Sequence, residues 1–350
     1  MINFYIRNGY TQDAVVVART IDLSDDTPLD VIEAVGNAEL AAGNQRLAAS
    51  AFHRAATQAG GSPRLLVRAG RNQMAAGDEY GAEQTLGEAL RLDPEQMEAH
   101  ALLADLDSRR GRTGVAMRRI ALIRKNDPES PLPDRLEGDM MMANRLYAAA
   151  ALAYETGFRK DPSSDLLVRL FKAQQAATPD DVPVDRLEAW IADHPDDFDV
   201  LRVLGGAYID LGRLDEALAL HERLVGAGRV DADILKNLAS LYGRKQDQRA
   251  LRYAEMAYEQ APGSAEVLDT YGWLLVQNGD PERGLAILRD ASARTAGSAE
   301  ISYHIAYALH ALGRTDEARA ALEELFENAG PDPLPAGARD LLQEITSGGN

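Results

Sequence analysis

Small residues recur in this chain at a fixed distance of 34 positions. Gly272, Gly279 and Gly284 stand 34 residues before Ala306, Gly313 and Ala318, inside a stretch, Ser264–Phe326, that reads as two copies of one helix–turn–helix unit. Numbering these as positions 8, 15 and 20 of a repeat, position 8 is filled by Gly36, Gly70, Ala104, Gly138, Gly205, Ala239, Gly272 and Ala306. Position 15 holds Gly9, Gly43, Gly77 and Gly111, loses its glycine at Arg145, and recovers it at Gly212, Gly279 and Gly313. Position 20 holds Ala14, Ala48, Ala82, Ala116, Ala150, Ala217, Ala250, Gly284 and Ala318, with one single-residue deletion before Gly284. Ten repeats fit the 350 residues. A large side chain at position 8 or 20 would hold two crossing helices apart, and a glycine at position 15 suits the left-handed conformation that ends a helix.

Proline punctuates the loops between repeats. Asp93-Pro94, Asp127-Pro128 and Asp161-Pro162 are 34 apart, and His194-Pro195 and Ala261-Pro262 follow; proline stops a second helix and the next polar residue caps the following one. Helices of roughly 12–15 residues alternate with no strand-like period, so the expected class is all-α. The register over nearly the whole chain resembles the tetratricopeptide-repeat (TPR) superfamily. That resemblance implies an α-solenoid, a right-handed superhelix of about ten helix–turn–helix repeats, binding a protein or peptide partner in its concave groove. The lysine–asparagine carboxylate clamp of the chaperone-binding subgroup is not reproduced, since the matching positions hold pairs such as Arg202 with Gly206 and Lys236 with Ser240.

Three departures divide the chain. Met1 falls at position 7, so the first repeat lacks most of its first helix and the chain reads as beginning inside a repeat. Between 178 and 199 the register degenerates around Pro179 and Pro183, and acids cluster at Asp180, Asp181, Asp185, Glu188, Asp193, Asp196, Asp197 and Asp199. Pro331, Pro333 and Pro335 stop the last repeat, and Ala336 to Thr346 reads as a short capping helix. The expected division is a block at 1–177, an irregular acidic segment at 178–199 within a degenerate repeat, a second block at 200–329, and a cap and tail at 330–350.

Chemistry is sparse. With 55 acidic against 37 basic residues, net −18, the chain lacks the basic surface that phosphate neutralisation requires, which argues against a nucleic-acid partner. There is no cysteine, so disulfides and thiol chemistry are excluded. The longest apolar run, Tyr147 to Tyr154, is too short to span a membrane. The N-terminus lacks the pattern of a secretory signal. None of the six histidines forms an i,i+4 ligand pair, and no phosphate-cradling loop or nucleophile elbow is present, so we expect no metal, no cofactor and no catalytic residues. The run His194 to Asp199 reads as a helix cap with first-turn carboxylates rather than a cation site.

Two features are left for partners. Arg109, Arg110, Arg112, Arg118, Arg119, Arg124 and Lys125 form a basic run with no acid among them. It is either a solvated helix face or, through Arg109, Arg112, Arg118 and Arg119, a patch for an anionic partner. Counting from position 8, the groove-facing candidates on the first helices of the last four repeats are Arg202 and Asp210; Lys236 and Arg244; Asp269, Trp273 and Gln277; and Tyr303, Tyr307 and His310. Trp273 and Tyr307 follow their position-8 residues and should project from one groove, as packing or as anchors.

The run Leu268-Asp269-Thr270-Tyr271-Gly272-Trp273, with His304 through Ala308, resembles the C-terminal repeats of the TPR lipoproteins of exosortase/PEP-CTERM exopolysaccharide systems. The resemblance covers roughly Ile234 to Phe326. It implies a scaffold of a bacterial envelope assembly for exopolysaccharide or protein sorting, periplasmic or outer-membrane associated. The alternatives are a carbohydrate-binding module, in which Trp273, Tyr303 and Tyr307 stack on a polysaccharide beside Asp269 and Gln277, and a cytoplasmic TPR regulator.

Overall fold

A computed structural model describes residues 1–178, 183–295, 297–328 and 334–347. Among them are 21 α-helices and no strand. Pro179, Asp180, Asp181, Pro331 and Pro333, on which parts of the sequence reading rest, lie outside the described residues. The chain divides into two compact units, Met1–Pro183 and Val184–Asn350.

In the first unit the first helices of the repeats are α1 (Ile2–Arg7), α3 (Leu29–Ala41), α5 (Pro63–Ala75), α7 (Met97–Arg109), α9 (Leu132–Ala143) and α11 (Ser164–Ala177). They alternate with α2 (Thr11–Arg19), α4 (Gln45–Gln58), α6 (Glu79–Leu92), α8 (Thr113–Asn126) and α10 (Tyr147–Lys160). The second unit opens with α12 (Asp185–Asp193) and continues through first helices α13 (Phe198–Asp210), α15 (Ala232–Arg244), α17 (Ala265–Gln277) and α19 (Ala299–Ala311). Their partners are α14 (Leu214–Gly226), α16 (Arg249–Gln260), α18 (Pro281–Arg294) and α20 (Thr315–Glu327), and α21 (Ala338–Ser347) closes the chain.

The small positions do what close crossing requires. Ala14, Ala48, Ala82, Ala116, Ala150, Ala217 and Ala318 are fully buried. Each glycine at position 8 faces a bulky side chain 16 residues on: a Cβ there would lie 2.6 Å from Phe52 at Gly36, 2.6 Å from Leu86 at Gly70 and 2.8 Å from Leu288 at Gly272, and at Gly138 it would collide with the Tyr154 ring. Where α17 crosses α18 the two backbones meet, and a Cβ on Gly284 would lie 2.7 Å from the Gly272 carbonyl oxygen. Backbone cannot rotate aside as a side chain can.

Position 15 keeps its left-handed turn even where glycine is lost. The glycines at 9, 43, 77, 111, 212, 279 and 313 all have positive φ, and Arg145 (φ 60°) and Gln246 (φ 54°) adopt the same conformation at the two equivalent sites. The geometry of the helix pair sets the turn, and these two residues absorb the strain. Ser163, Asp197, Asp231, Ser264, Asp280 and Ser298 each accept a backbone N–H in the first turn of α11, α13, α15, α17, α18 and α19. Asp197 thereby fulfils the capping role read from the acidic run.

Within each unit a second helix packs on the first helix of its own repeat and of the next, while successive first helices, such as α7 with α9 and α15 with α17, also touch one another. The first helices therefore form the inner layer. At the end, Ala338, Leu341 and Ile345 of α21 are buried against Leu322 and Leu325 of α20, so α21 covers the apolar edge of the last repeat.

Candidate functional site

On the inner layer of the second unit, α17 and α19 bring Asp269, Trp273, Tyr303, His304 and Tyr307 together. Their spacing explains the meeting: Asp269 and Trp273 are four apart on α17, Tyr303 and Tyr307 four apart on α19, and residues four apart share one helix face. The Trp273 indole stacks on the His304 imidazole, with centroids 4.2 Å apart and planes 15° apart. Tyr307 meets the same indole edge-on at 5.1 Å, and Tyr303 lies tilted at 6.1 Å. His304 is buried, and its Nδ1 stands 2.7 Å from Asp269 Oδ1. A carboxylate only accepts, so Nδ1 carries the hydrogen and the ring is fixed in one orientation.

Tyr307 is 38 % exposed, whereas Trp273 and Tyr303 are partly buried. Burial raises the Tyr303 phenol above its ordinary pKa, and Tyr307 and Asp340 add to the shift, so it stays a neutral donor. His310, one turn beyond Tyr307, lies 3.7 Å from Glu344 of α21 through Nε2. Gln277, one turn beyond Trp273, is exposed.

Arg202 and Lys236 are each engaged in an ion pair. Arg202 Nη2 lies 2.7 Å from Asp231, the residue that caps α15, and Lys236 pairs with Glu266 in the first turn of α17. Each ties one first helix to the start of the next.

The basic run does not form one patch. Arg112 and Arg119 converge on Asp107, only 3 % exposed, with Nε atoms 2.7 and 2.9 Å from its two oxygens. Arg109 pairs with Asp105 at 2.6 Å on the inner face of α7, and Arg124 lies 3.2 Å from Asp134 while also pairing with Glu137. Burial alone would raise the Glu83 carboxyl; Arg110 and Arg112 beside it outweigh that and hold it below its ordinary range. Arg118 is exposed on α8 and has no carboxylate partner among the described residues. Two of the acids that neutralise the run, Asp105 and Asp107, stand just before it on α7; others, such as Glu83 and Glu137, come from α6 and α9.

Sequence reasoning missed two histidines. His304 sits three residues before Tyr307, and only the stacked repeats put its ring against Trp273. His221 is fully buried: Nδ1 donates to the Ala217 carbonyl at 2.8 Å, and Nε2 therefore accepts from Asn237 Nδ2 at 3.0 Å. Desolvation lowers its pKa, and the Ala217 hydrogen bond and Asp231 only partly oppose this, so the satisfied neutral ring packs against Gly205.

Residues 244–325 match the family described as anaphase-promoting complex, cyclosome, subunit 3, and residues 184–232 match a tetratricopeptide repeat family. The fold is a TPR solenoid. Among solved structures, the APC/C hetero-tetramer Cut9-Hcn1 superposes on the TPR array with a TM-score of 0.57, covering 98% of this chain and 82% of that one at 11% identity. A tetratricopeptide repeat protein from Parabacteroides merdae covers 80% of this chain and 98% of its own at 15% identity and a TM-score of 0.37. YrrB, described as a TPR protein with an unusual peptide-binding site, covers 65% and 97% at 14% identity and a TM-score of 0.36. At these identities the likeness is one of fold. No curated protein sequence matches the chain. No helix among the described residues is long and apolar enough to cross a membrane.

Proposed function

We propose that this TPR array is a non-enzymatic scaffold that holds a polypeptide segment of a partner protein against its first helices, with Trp273 and Tyr307 as anchors. The observation that carries this reading is the bracing of the cluster. Asp269 fixes His304, His304 supports one face of Trp273, and Tyr307 stands partly exposed beside it, so an aromatic surface is pre-organised before any partner arrives. A setting in an envelope exopolysaccharide or protein-sorting assembly rests on the resemblance of the α17–α19 residues alone.

A displayed peptide library panned on the wild type and on Tyr307→Ala tests the reading, with a glycan array run beside it and circular dichroism confirming that the variant is folded. Peptides enriched on the wild type should lose binding on Tyr307→Ala. Equal enrichment on both would make the aromatics packing residues. Glycan binding lost in Tyr307→Ala would replace the polypeptide with a polysaccharide.

A further inference from the structure

A groove of about 530 Å³ crosses the inner face of the first unit, between α7, α9 and α11. Its charge opposes that of the chain: in a protein of net −18, the lining carries four cations, Arg109, Arg135, Arg169 and Lys172, against two carboxylates, Asp105 and Asp139. We propose that this groove binds an acidic peptide segment that also carries an apolar side chain. The proposal rests on the reading of the first helices as the binding layer and is independent of the aromatic cluster.

Both carboxylates of the groove are already engaged. Asp139 accepts from the Tyr154 hydroxyl at 2.7 Å, from Arg135 Nη1 at 3.0 Å and from Arg169 Nη1 at 2.6 Å. Burial, with Asp139 adding to it, raises the Tyr154 phenol, so it remains a donor at any ordinary pH. Asp105 is held by Arg109. Among the cations, Arg109 and Arg169 are spent on Asp105, Asp139 and Asp165, and the free donors are those of Lys172 and Arg135. Lys172 is exposed and pairs with no carboxylate among the described residues, and Arg135 uses one N–H of the five a guanidinium offers, with none of the others buried and unpartnered. An incoming carboxylate thus meets free donors and little bare negative charge.

Apart from Ser108 and the Tyr154 hydroxyl, the remaining lining is apolar. Leu136 and Met140 form a buried floor, and Leu102 and Met142 stand partly exposed above it. Methionine adapts to the shape of an apolar side chain. A purely anionic polymer would leave this strip unused. A nucleic acid would need an aromatic face to stack on, and the one aromatic ring of the lining, Tyr154, is 2 % exposed.

The test uses three fluorescein-labelled pools of dodecapeptides with the same leucine and methionine content, in which the other positions are glutamate, glutamine or lysine. Polarisation titrations are run on the wild type, Lys172→Glu, Arg135→Gln and Arg118→Glu. Lys172 and Arg118 are both exposed and pair with no carboxylate among the described residues, so their reversals change the net charge equally and leave the packing alone. The glutamate pool should bind about tenfold more tightly than the glutamine pool, weaken with salt, and lose about three- to tenfold on Lys172→Glu and on Arg135→Gln while Arg118→Glu leaves it unchanged. Equal binding of the glutamate and glutamine pools, or equal loss on Lys172→Glu and Arg118→Glu, overturns the proposal and leaves the scaffold reading standing. Preference for the lysine pool overturns the assigned charge. If no pool binds, the proposal fails here, and the library panning on the aromatic cluster decides separately whether the scaffold reading fails with it.

Discussion

Gly205 on α13 and His221 on α14 are locked together: a Cβ on Gly205 would lie 2.8 Å from His221 Cε1, and the ring is held in place by the Ala217 carbonyl and Asn237. Its neighbour Gly206, in the same helix, has nothing within 4 Å of the same point. Adjacent alanine substitutions should therefore have opposite signs. Gly205→Ala should destabilise by about 1–3 kcal/mol through overpacking, and Gly206→Ala should stabilise by about 0.4–1 kcal/mol by reducing unfolded-state entropy. Urea titration of both variants checks this, and equal shifts would sink the assignment of position 8.

His221 also gives stability a pH dependence. Its folded pKa lies below the ordinary 6.5, so at pH values under about 6.5 the unfolded chain binds a proton that the folded ring resists. Stability from this group is fully present above that pH and is lost as pH falls below it. His221→Leu, which places there the residue found at Leu86 and Leu288, should flatten thermal stability between about pH 5 and 7 relative to the wild type. An unchanged pH profile would show that the imidazole is not the group responsible.

Arg118 and Arg119 are neighbours in sequence and differ in consequence. Arg119 helps neutralise the buried Asp107 carboxylate, and Arg118 is solvated. Removing both Arg112 and Arg119 leaves that carboxylate buried and unpaired, and the double glutamine variant should lose about 3–5 kcal/mol. Arg118→Gln should melt with the wild type. Calorimetry of the two variants separates a structural clamp from a surface patch.

Arg145 and Gln246 hold left-handed turns that other repeats assign to glycine. Replacing either with glycine should be neutral or stabilising, because relief of the backbone strain offsets the added unfolded-state freedom. Gly212→Ala, the reverse change at the equivalent site, should destabilise by about 1–2 kcal/mol. A destabilising Gln246→Gly would show that its side chain, rather than the turn, is what the fold uses.

The aromatic site was partly legible for the same reason the repeats were. Trp273 and Tyr307 share a register, so their common face follows from counting; that the indole rests on His304, and that Asp269 holds His304, depends on how far α17 and α19 are rotated against each other. The groove of the first unit was harder to see. Arg135 and Arg169 are 34 apart, a faint signal, but they meet at Asp139 because Arg169 reaches back from α11 to α9. The basic run is divided likewise: Arg110 and Arg124 pair with acids on α6 and α9, which counting along the run does not reveal.

The helix pairs, the turns between them and the small residues where they cross can be read from the chain alone, because each depends on neighbours within one 34-residue unit and recurs with it. Which charges are spent and which remain depends on the folded stack, since ion pairs such as Arg202–Asp231 and Arg169–Asp139 join residues about one repeat apart. Long charged side chains choose partners by distance in space, and stacking the repeats sets that distance.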